Sequence, residues 1–329
     1  MKTKQIISLV VAVALFVLTG VASVMSWKDV NEYNASRSID MLAQLTRGRV
    51  ALPSGEYLAM IAIHGTIQAG TTVDSLYGGA TYDHNYYLDL IDILMTDEDC
   101  QGIILDIDSP GGTVYETDEL YLKLMEFKAV TEKPIYAYFR SYACSGAYYL
   151  AMAADEIYAN RNSTTGSIGV IITTYNYSEL LDKIGVDSIS IASGDNKTMG
   201  SAEEEMTEEQ RAIYQAIVDE SYDQFVSIIA EGRGMDEATV RAIGDGRIYT
   251  ATQALNLNMI DGICTADDFY ASMWEIADVA DLNNYVDNSL LSILGFTADV
   301  LSPKSESQYT LEWINSLESG VPMYVYLGQ

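Results

Sequence analysis

The chain has 329 residues, of which 18 are Lys or Arg and 47 are Asp or Glu, giving a formal net charge of −29. So negative a chain repels a phosphate backbone, which argues against nucleic acid as a partner, and an apolar fraction of 49% excludes wholesale disorder. The three cysteines (Cys100, Cys144, Cys264) are too few for a disulfide framework and form no CxxC pair. The two histidines (His64, His84) leave little for a histidine-built metal site, so we expect no cofactor.

The first predicted element is a membrane-spanning helix over residues 6–25, a stretch without a charged residue. Twenty helical residues span about 30 Å, the thickness of the hydrocarbon core of a bilayer. Lys2 and Lys4 precede this stretch, so the positive-inside rule places the N-terminus in the cytoplasm and the rest outside it. The competing interpretation is a cleaved signal peptide, with the small residues 21–23 as its cleavage site. We expect a single-pass protein of the cell membrane with an extracytoplasmic body.

Patterning divides the chain into five parts. These are a cytoplasmic N-terminus (1–5), the anchor (6–25), a polar stalk (26–55), one large domain (56–280) and a less periodic C-terminal extension (281–329).

Within the large domain, strand-like apolar runs alternate with segments of helical periodicity. The predicted strands are Tyr57–Ile63, Gly102–Ile107, Pro134–Phe139, Glu156–Ala159, Ile168–Thr173 and Asp187–Ala192. The predicted helices are Asn85–Met95, Glu116–Val130, Ser145–Ala154, Ser178–Ile184 and a long one from about Met206 to Gly232. Thr207 and Gln210 form a capping box at the start of the long helix, and Gly232 and Gly234 are expected to end it. The alternation predicts an α/β fold with a mostly parallel sheet covered by helices.

Three local features carry the chemistry, and each also has a plainer interpretation. Residues 108–112 (DSPGG) follow a buried strand and precede a helix. Backbone N–H groups that point outward there would suit an oxyanion hole or a phosphate site. The plainer interpretation is a turn between the strand and the helix. Ser145 lies among small residues at the start of an apolar helix. It is interpreted either as a nucleophile or as the residue that caps the helix. Cys144 is the neighbouring alternative nucleophile, or an inert buried residue. Lys197 lies in a Gly/Ser-rich loop. It is interpreted either as a general base or as an ordinary solvated lysine.

Taken in order, these residues resemble the signal peptide peptidase A (SppA) family of membrane-anchored serine–lysine proteases, in its short, single-copy form. The resemblance runs from about residue 57 to residue 268 and is carried by the strings DSPGG, SYACSGAYYLAMAAD, STTGSIGV, SGDNKTMG and DGRIYTATQA. It implies that Ser145 is the nucleophile, Lys197 the general base and Gly112 an N–H donor of the oxyanion hole. It further implies that Ser167 helps to orient the lysine.

The resemblance also implies a fold of stacked β-β-α units, as in crotonase and ClpP. The activity it implies is that of a membrane-anchored serine endopeptidase, which cleaves apolar peptides such as remnant signal peptides at the outer membrane face. The alternative is a catalytically silent, membrane-anchored scaffold that binds peptides. The chain departs from the family pattern at Asp108, Cys144 and Ala147. Ala147 adds a methyl group beside the nucleophile, and a carboxylate at position 108 would oppose an oxyanion unless it points away.

Two further expectations concern assembly and the C-terminus. Long members of the family carry two tandem domains, whereas this chain carries one, so we expect a homo-oligomeric ring in which Ser145 of one protomer works with Lys197 of the next. The apolar tail 320–329 contains a proline and is predicted to be extended. It is either an edge strand that completes the sheet or an inhibitory segment lying in a substrate groove.

Overall fold

The computed structural model of the chain describes residue 50 and residues 52–69, 82–277, 281–285 and 323–325. The predicted anchor at 6–25 lies outside these residues, as do most of the predicted stalk and most of the C-terminal extension. Among the described residues no helix combines the length and the apolar character that crossing a bilayer requires. All the strands and helices named below belong to one compact unit.

Ten strands follow one another along the described chain. They are β1 (Tyr57–His64), β2 (Cys100–Ser109), β3 (Gly111–Thr113), β4 (Ile135–Cys144), β5 (Glu156–Ala159), β6 (Thr164–Gly166), β7 (Ile248–Thr250), β8 (Gly262–Ile263), β9 (Asp281–Tyr285) and β10 (Met323–Val325). Eight of them form one sheet in the order β7-β6-β4-β2-β1-β9, with β5 paired to β4 and β8 to β5. All pairs in this sheet are parallel except β6 with β7. The predicted, mostly parallel α/β sheet is therefore confirmed.

The described chain also contains eight helices. They are α1 (His84–Thr96), α2 (Val114–Thr131), α3 (Gly146–Ala151), α4 (Ser178–Ile184), α5 (Glu208–Arg233), α6 (Glu237–Ile243), α7 (Ala251–Asn256) and α8 (Ala266–Ala277). α2 packs against both α1 and α3. α8 packs on one face of the sheet through Phe269 and Met273, which contact Leu58, Ile104 and Tyr138. Because both faces are covered, β1 and β2 are apolar and buried along most of their length.

The long helix α5 begins as its sequence predicts, and it ends at the second of the two glycines that were expected to end it. The Thr207 hydroxyl accepts from the Gln210 N–H at 3.1 Å, and the Gln210 side chain accepts from the Thr207 N–H, which completes the capping box. Gly232 does not end the helix: it lies inside it, where a Cβ would come within 2.9 Å of Met152. The helix ends one residue later, and Gly234 caps it in the left-handed conformation at φ 61°.

Two predicted strands are wrong. The strand expected at 168–173 lies earlier, at 164–166, because those are the residues that pair with β4. Residues 187–192 alternate apolar and polar side chains but form no strand. No neighbouring strand pairs with them in the described chain, and Ile189 and Ile191 are 82% and 97% exposed. Alternation alone cannot form a strand that has no partner.

Candidate active site

The carboxyl end of β4 leads directly into Ser145, the residue that begins α3. Ser145 has φ 54° and ψ −119°, a positive φ that a non-glycine residue adopts only at an energetic cost. The residue is fully buried, and its N–H donates to the Gly166 carbonyl at 2.7 Å. Its Oγ has no hydrogen-bond partner among the described residues. The turn therefore fixes the backbone of a buried serine and leaves the hydrogen-bonding capacity of its hydroxyl unused within this part of the chain.

Strand β3 presents the N–H of Gly112 next to α3. On one side of β3, the Ile67 N–H donates to the Gly111 carbonyl at 2.9 Å, and the Thr113 N–H donates to the Ile67 carbonyl at 2.8 Å. Backbone polar groups of successive strand residues point to opposite edges, so the N–H and C=O of Gly112 face the edge away from Ile67. β3 is in contact with α3, and this arrangement brings the Gly112 strand and Ser145 into one region of the fold.

The C-terminal strand β10 occupies this second edge of β3. The two strands are antiparallel, and Tyr324 lies opposite Gly112. β10 is also close to α2 and α3, the helices that follow Gly112 and Ser145. The described part of the tail, residues 323–325, is thus extended, as the sequence predicts, and it pairs with the strand that carries the predicted oxyanion-hole glycine.

Ser167 is held close to Ser145 through strand β6. Cys144 pairs with Gly166 across β4 and β6, and Gly166 is the residue that accepts the Ser145 N–H. Ser167 follows it with φ 50°, is 7% exposed, and donates its N–H to the Arg247 carbonyl at 2.7 Å. The predicted nucleophile and the predicted lysine-orienting serine therefore lie on adjoining, tightly bonded backbone segments.

Lys197 is exposed and is not hydrogen-bonded to Ser145 within the protomer. It lies in a turn whose backbone is closed by the bond from its own N–H to the Gly194 carbonyl at 3.0 Å. The Gln210 side chain ties this turn to the start of α5 by donating to the Asp195 carbonyl at 3.1 Å. Within the described chain, the structure does not join the two members of the predicted dyad.

Two departures from the family pattern take positions that leave the serine unobstructed. Burial raises the pKa of Cys144 to about 12, so its thiol stays protonated at neutral pH and is a poor nucleophile. Asp108 accepts a hydrogen bond from the Tyr142 N–H at 3.1 Å. Its carboxylate is therefore directed toward β4, so it is not positioned to oppose an oxyanion beside Gly112.

A charged cluster around the buried Asp106, which the sequence did not indicate, occupies the face of the sheet that α8 covers. Asp106 is 2% exposed; it accepts from Arg140 Nε at 2.6 Å, from His64 Nε2 at 3.1 Å and from the Tyr270 hydroxyl at 2.9 Å. Burial opposes its ionisation, but the hydrogen bonds from His64 and Arg140 outweigh burial and lower the pKa of Asp106. Four residues spread over four elements carry no local motif, so only the fold brings them together.

Neither histidine is placed to act on Ser145. His64 is bonded to Asp106, and the ring of His84 lies between the Tyr82 hydroxyl at 2.7 Å and Glu119 at 2.8 Å. No group of three His, Cys, Asp or Glu side chains in the described residues is arranged to hold a metal ion.

Comparison with known proteins places the chain in a family. The sequence profile of peptidase family S49 matches residues 128–280. A protein of Enterococcus faecium named as a signal peptide peptidase, SppA, is 36% identical over 220 residues, which are 67% of this chain and 63% of that protein. Proteins named as proteases from Synechocystis sp. and Methanocaldococcus jannaschii are 38% and 31% identical, over 72% and 78% of their own lengths. The chain belongs to peptidase family S49, with SppA.

The matched S49 region contains three of the four predicted site residues, Ser145, Ser167 and Lys197. Gly112 precedes it but falls within the fold that carries Ser145. The aligned segment spans a little under two thirds of the Enterococcus faecium relative.

Proposed function

We propose that this S49 protein is a serine endopeptidase in which Ser145 is the nucleophile, Lys197 the general base and the Gly112 N–H an oxyanion donor. The observation that carries the proposal is the strained and buried Ser145, whose hydroxyl has no partner among the described residues. Strained strand-to-helix turns hold nucleophilic serines in other hydrolases. The strand that bears Gly112 lies against the same helix.

The chemistry is acyl transfer followed by hydrolysis. Ser145 Oγ forms a bond to the peptide carbonyl carbon while its proton passes to the neutral amine of Lys197. The carbonyl oxygen becomes negative and accepts from the Gly112 N–H. When the C–N bond breaks, the departing amine takes the proton back from Lys197. Water then attacks the acyl ester with the same lysine as base, which releases the acid and restores Ser145.

We further propose that Lys197 reaches Ser145 from a neighbouring protomer in a ring. Lys197 is exposed in the single chain, and the segment before it exposes an unusual amount of apolar surface. Between residues 171 and 191, the exposed apolar side chains are Ile171, Tyr177, Leu180, Ile184, Val186, Ile189 and Ile191. Helix α4 buries none of its residues. Apolar surface of this extent is typical of a protein interface, and a second copy that covered it would enclose the lysine loop as well.

The remaining parts of the proposal come from the family. We propose an anchor at 6–25, an extracytoplasmic body, and a fold of crotonase/ClpP-like units. Apolar peptides, including remnants of signal peptides, are the proposed substrates because an anchored site meets such peptides at the membrane. The position of β10 beside Gly112 supports a further role for the tail, that of an extended segment competing with substrate for this edge.

The test is a peptidase assay of the full chain beside Ser145→Ala and Lys197→Ala. Both variants should lose at least about 99% of the activity, since each removes a group that acts in the transition state. Ser141→Ala and Lys123→Ala, which change an exposed serine and a half-exposed surface lysine, are the matched controls and should stay active. Full activity in Ser145→Ala and Lys197→Ala would exclude the mechanism. A serine-reactive phosphonate should label the wild type and not Ser145→Ala; absence of labelling together with tight peptide binding would favour the silent scaffold.

A further inference from the structure

The described chain contains two buried hydroxyl oxygens without a hydrogen-bond partner. One is Ser145 Oγ, for which the proposed function accounts; the other is Thr117 Oγ1, on a residue that is 0% exposed. Threonines in helices commonly bond to a carbonyl of the preceding turn. Thr131, at the far end of the same helix α2, does so with the Phe127 carbonyl at 2.7 Å. The hydroxyl of Thr117 makes no such bond, and a buried hydroxyl without a partner is unusual in a folded protein.

Contacts between α2 and α3 relate the position of Thr117 to that of Ser145. The rings of Tyr121 and Tyr149 meet edge to face with centroids 5.3 Å apart, and the Tyr149 hydroxyl donates to Asp118 at 2.5 Å. Thr117 lies four residues before Tyr121 on α2, and Ser145 lies four residues before Tyr149 on α3.

Thr117 and Ser145 each lie one helical turn before a tyrosine of this pair. Side chains four residues apart share a helix face and lean toward the N-terminus. β2 and β4 are parallel neighbours, and α2 and α3 follow their carboxyl ends, so the two helices begin at the same edge of the sheet. Both contact β3, the strand of Gly112. Thr117, Ser145 and the strand of Gly112 therefore lie at the same end of the two helices, one turn before the tyrosine pair.

We propose that Thr117 forms the floor of the pocket that receives the P1 side chain, the one just before the scissile bond. The inference rests on the proposed function and names the substrate class of that same site. We assign a small P1 side chain to this pocket, because Ala147, two residues after the nucleophile, is fully buried and the tyrosine pair fills the next turn of the two helices. The hydroxyl of Thr117 both donates and accepts, so it favours serine or threonine at P1 over alanine or valine. A P1 side chain without a polar group leaves this hydroxyl unpaired, and sites built this way reject such substrates.

The experiment compares two apolar peptides that differ only in Ser or Ala at P1, cleaved by the full chain. The wild type should prefer the P1 Ser peptide by about tenfold in kcat/KM, as expected for one net hydrogen bond. Thr117→Val keeps the shape of the side chain but removes the hydroxyl, so the preference should disappear, whereas Thr117→Ser should retain it. Thr131→Val, on the same helix with its hydroxyl bonded elsewhere, is the matched control and should keep the wild-type ratio.

The ratio is measured within each enzyme preparation, so a partly unfolded variant does not distort it. An unchanged Ser/Ala ratio in Thr117→Val would overturn this inference and leave the proposed function standing. Peptide aldehydes with Ser or Ala at P1 give the same comparison on the wild type without any substitution, and equal inhibition would overturn it as well. If the wild type cleaved both peptides no faster than Ser145→Ala, the proposed function would fail, and this inference with it.

Discussion

The carbonyl oxygen of Ile67 lies directly behind Gly112, only 1.7 Å from the point where a Cβ at that position would be. No side chain fits there without moving the backbone of β3. Gly112→Ala should therefore shift the N–H that faces the proposed oxyanion and lower kcat by about a hundredfold or more, the usual effect of losing one oxyanion donor. Steady-state kinetics on a variant whose circular dichroism is unchanged would measure this. Gly194→Ala, in open space at the lysine loop, is the control, and wild-type kcat in Gly112→Ala would exclude the assigned role.

A dyad shared between protomers predicts complementation. Ser145→Ala and Lys197→Ala are each expected to be inactive, but refolding them together in equal amounts should restore about a quarter of wild-type activity. One junction in about four of a randomly mixed ring pairs an intact serine with an intact lysine. Mixed assemblies would be verified by mass spectrometry. Persistent inactivity in verified mixtures would mean that both residues act within one chain.

The lysine base predicts an alkaline profile. A lysine amine accepts a proton only when it is neutral, and an ordinary lysine titrates near about pH 10.4. The net charge of −29 further favours the ammonium form of any lysine. We expect kcat/KM to rise between pH 7 and about 9.5. Lys197→Arg keeps the positive charge but cannot act as a base at these pH values, so it should be inactive throughout. An acid optimum or a flat profile would contradict the mechanism.

Competition by the tail predicts that shortening the chain activates it. Deleting residues 320–329 removes the strand that pairs with Gly111–Thr113, so the apparent KM for peptides should fall while kcat changes little. Adding the decapeptide GVPMYVYLGQ back should inhibit the truncated protein, and a scrambled decapeptide should not. Reduced solubility without a gain in activity would instead identify the tail as a purely structural strand.

The charged cluster at Asp106 predicts a specific loss of stability in acid. The native contacts lower the pKa of this carboxyl, so its contribution is present above its unfolded pKa, about 3.9, and is lost as the pH falls through the lower native value. Asp106→Asn should lower the melting temperature by several degrees at pH 7 and flatten the decline of stability below about pH 4. Asp245→Asn, in an exposed pair with Arg247, should change little. A wild-type melting curve in Asp106→Asn would show that the cluster does not stabilise the fold.

The sequence pattern predicted those elements that are determined by interactions between residues close together in the chain. The apolar runs of β1 and β2 and the capping box at Thr207 are fixed by burial and by hydrogen bonds over three residues. The predicted strand at 187–192 failed because a strand needs a neighbour, and in the described chain none pairs with it. Composition cannot show which strands have neighbours.

The same limit applies to the site. Ser145, Gly112 and Ser167 lie in recognisable strings; the structure places Ser145 and Ser167 on adjoining backbone segments and the strand of Gly112 against the helix that follows Ser145. Thr117 has no local signal: a threonine in a helix is ordinary until the partner of its hydroxyl is sought in three dimensions. In our proposal Lys197 pairs with a serine of a second copy of the chain, and the described single protomer, in which Lys197 is exposed, does not contain that geometry.

The backbone of Ser145 has a consequence for how this protein can be improved. A serine at φ 54° stores about 1–3 kcal/mol that any conformationally freer residue would release. Glycine is the residue that relieves it, and glycine has no hydroxyl. Under the proposed mechanism, selection for heat resistance alone would therefore favour glycine at this position and an inactive chain. Any stabilised version that keeps its activity must gain its stability elsewhere, for example in the apolar segment 171–191 or in the surface loops.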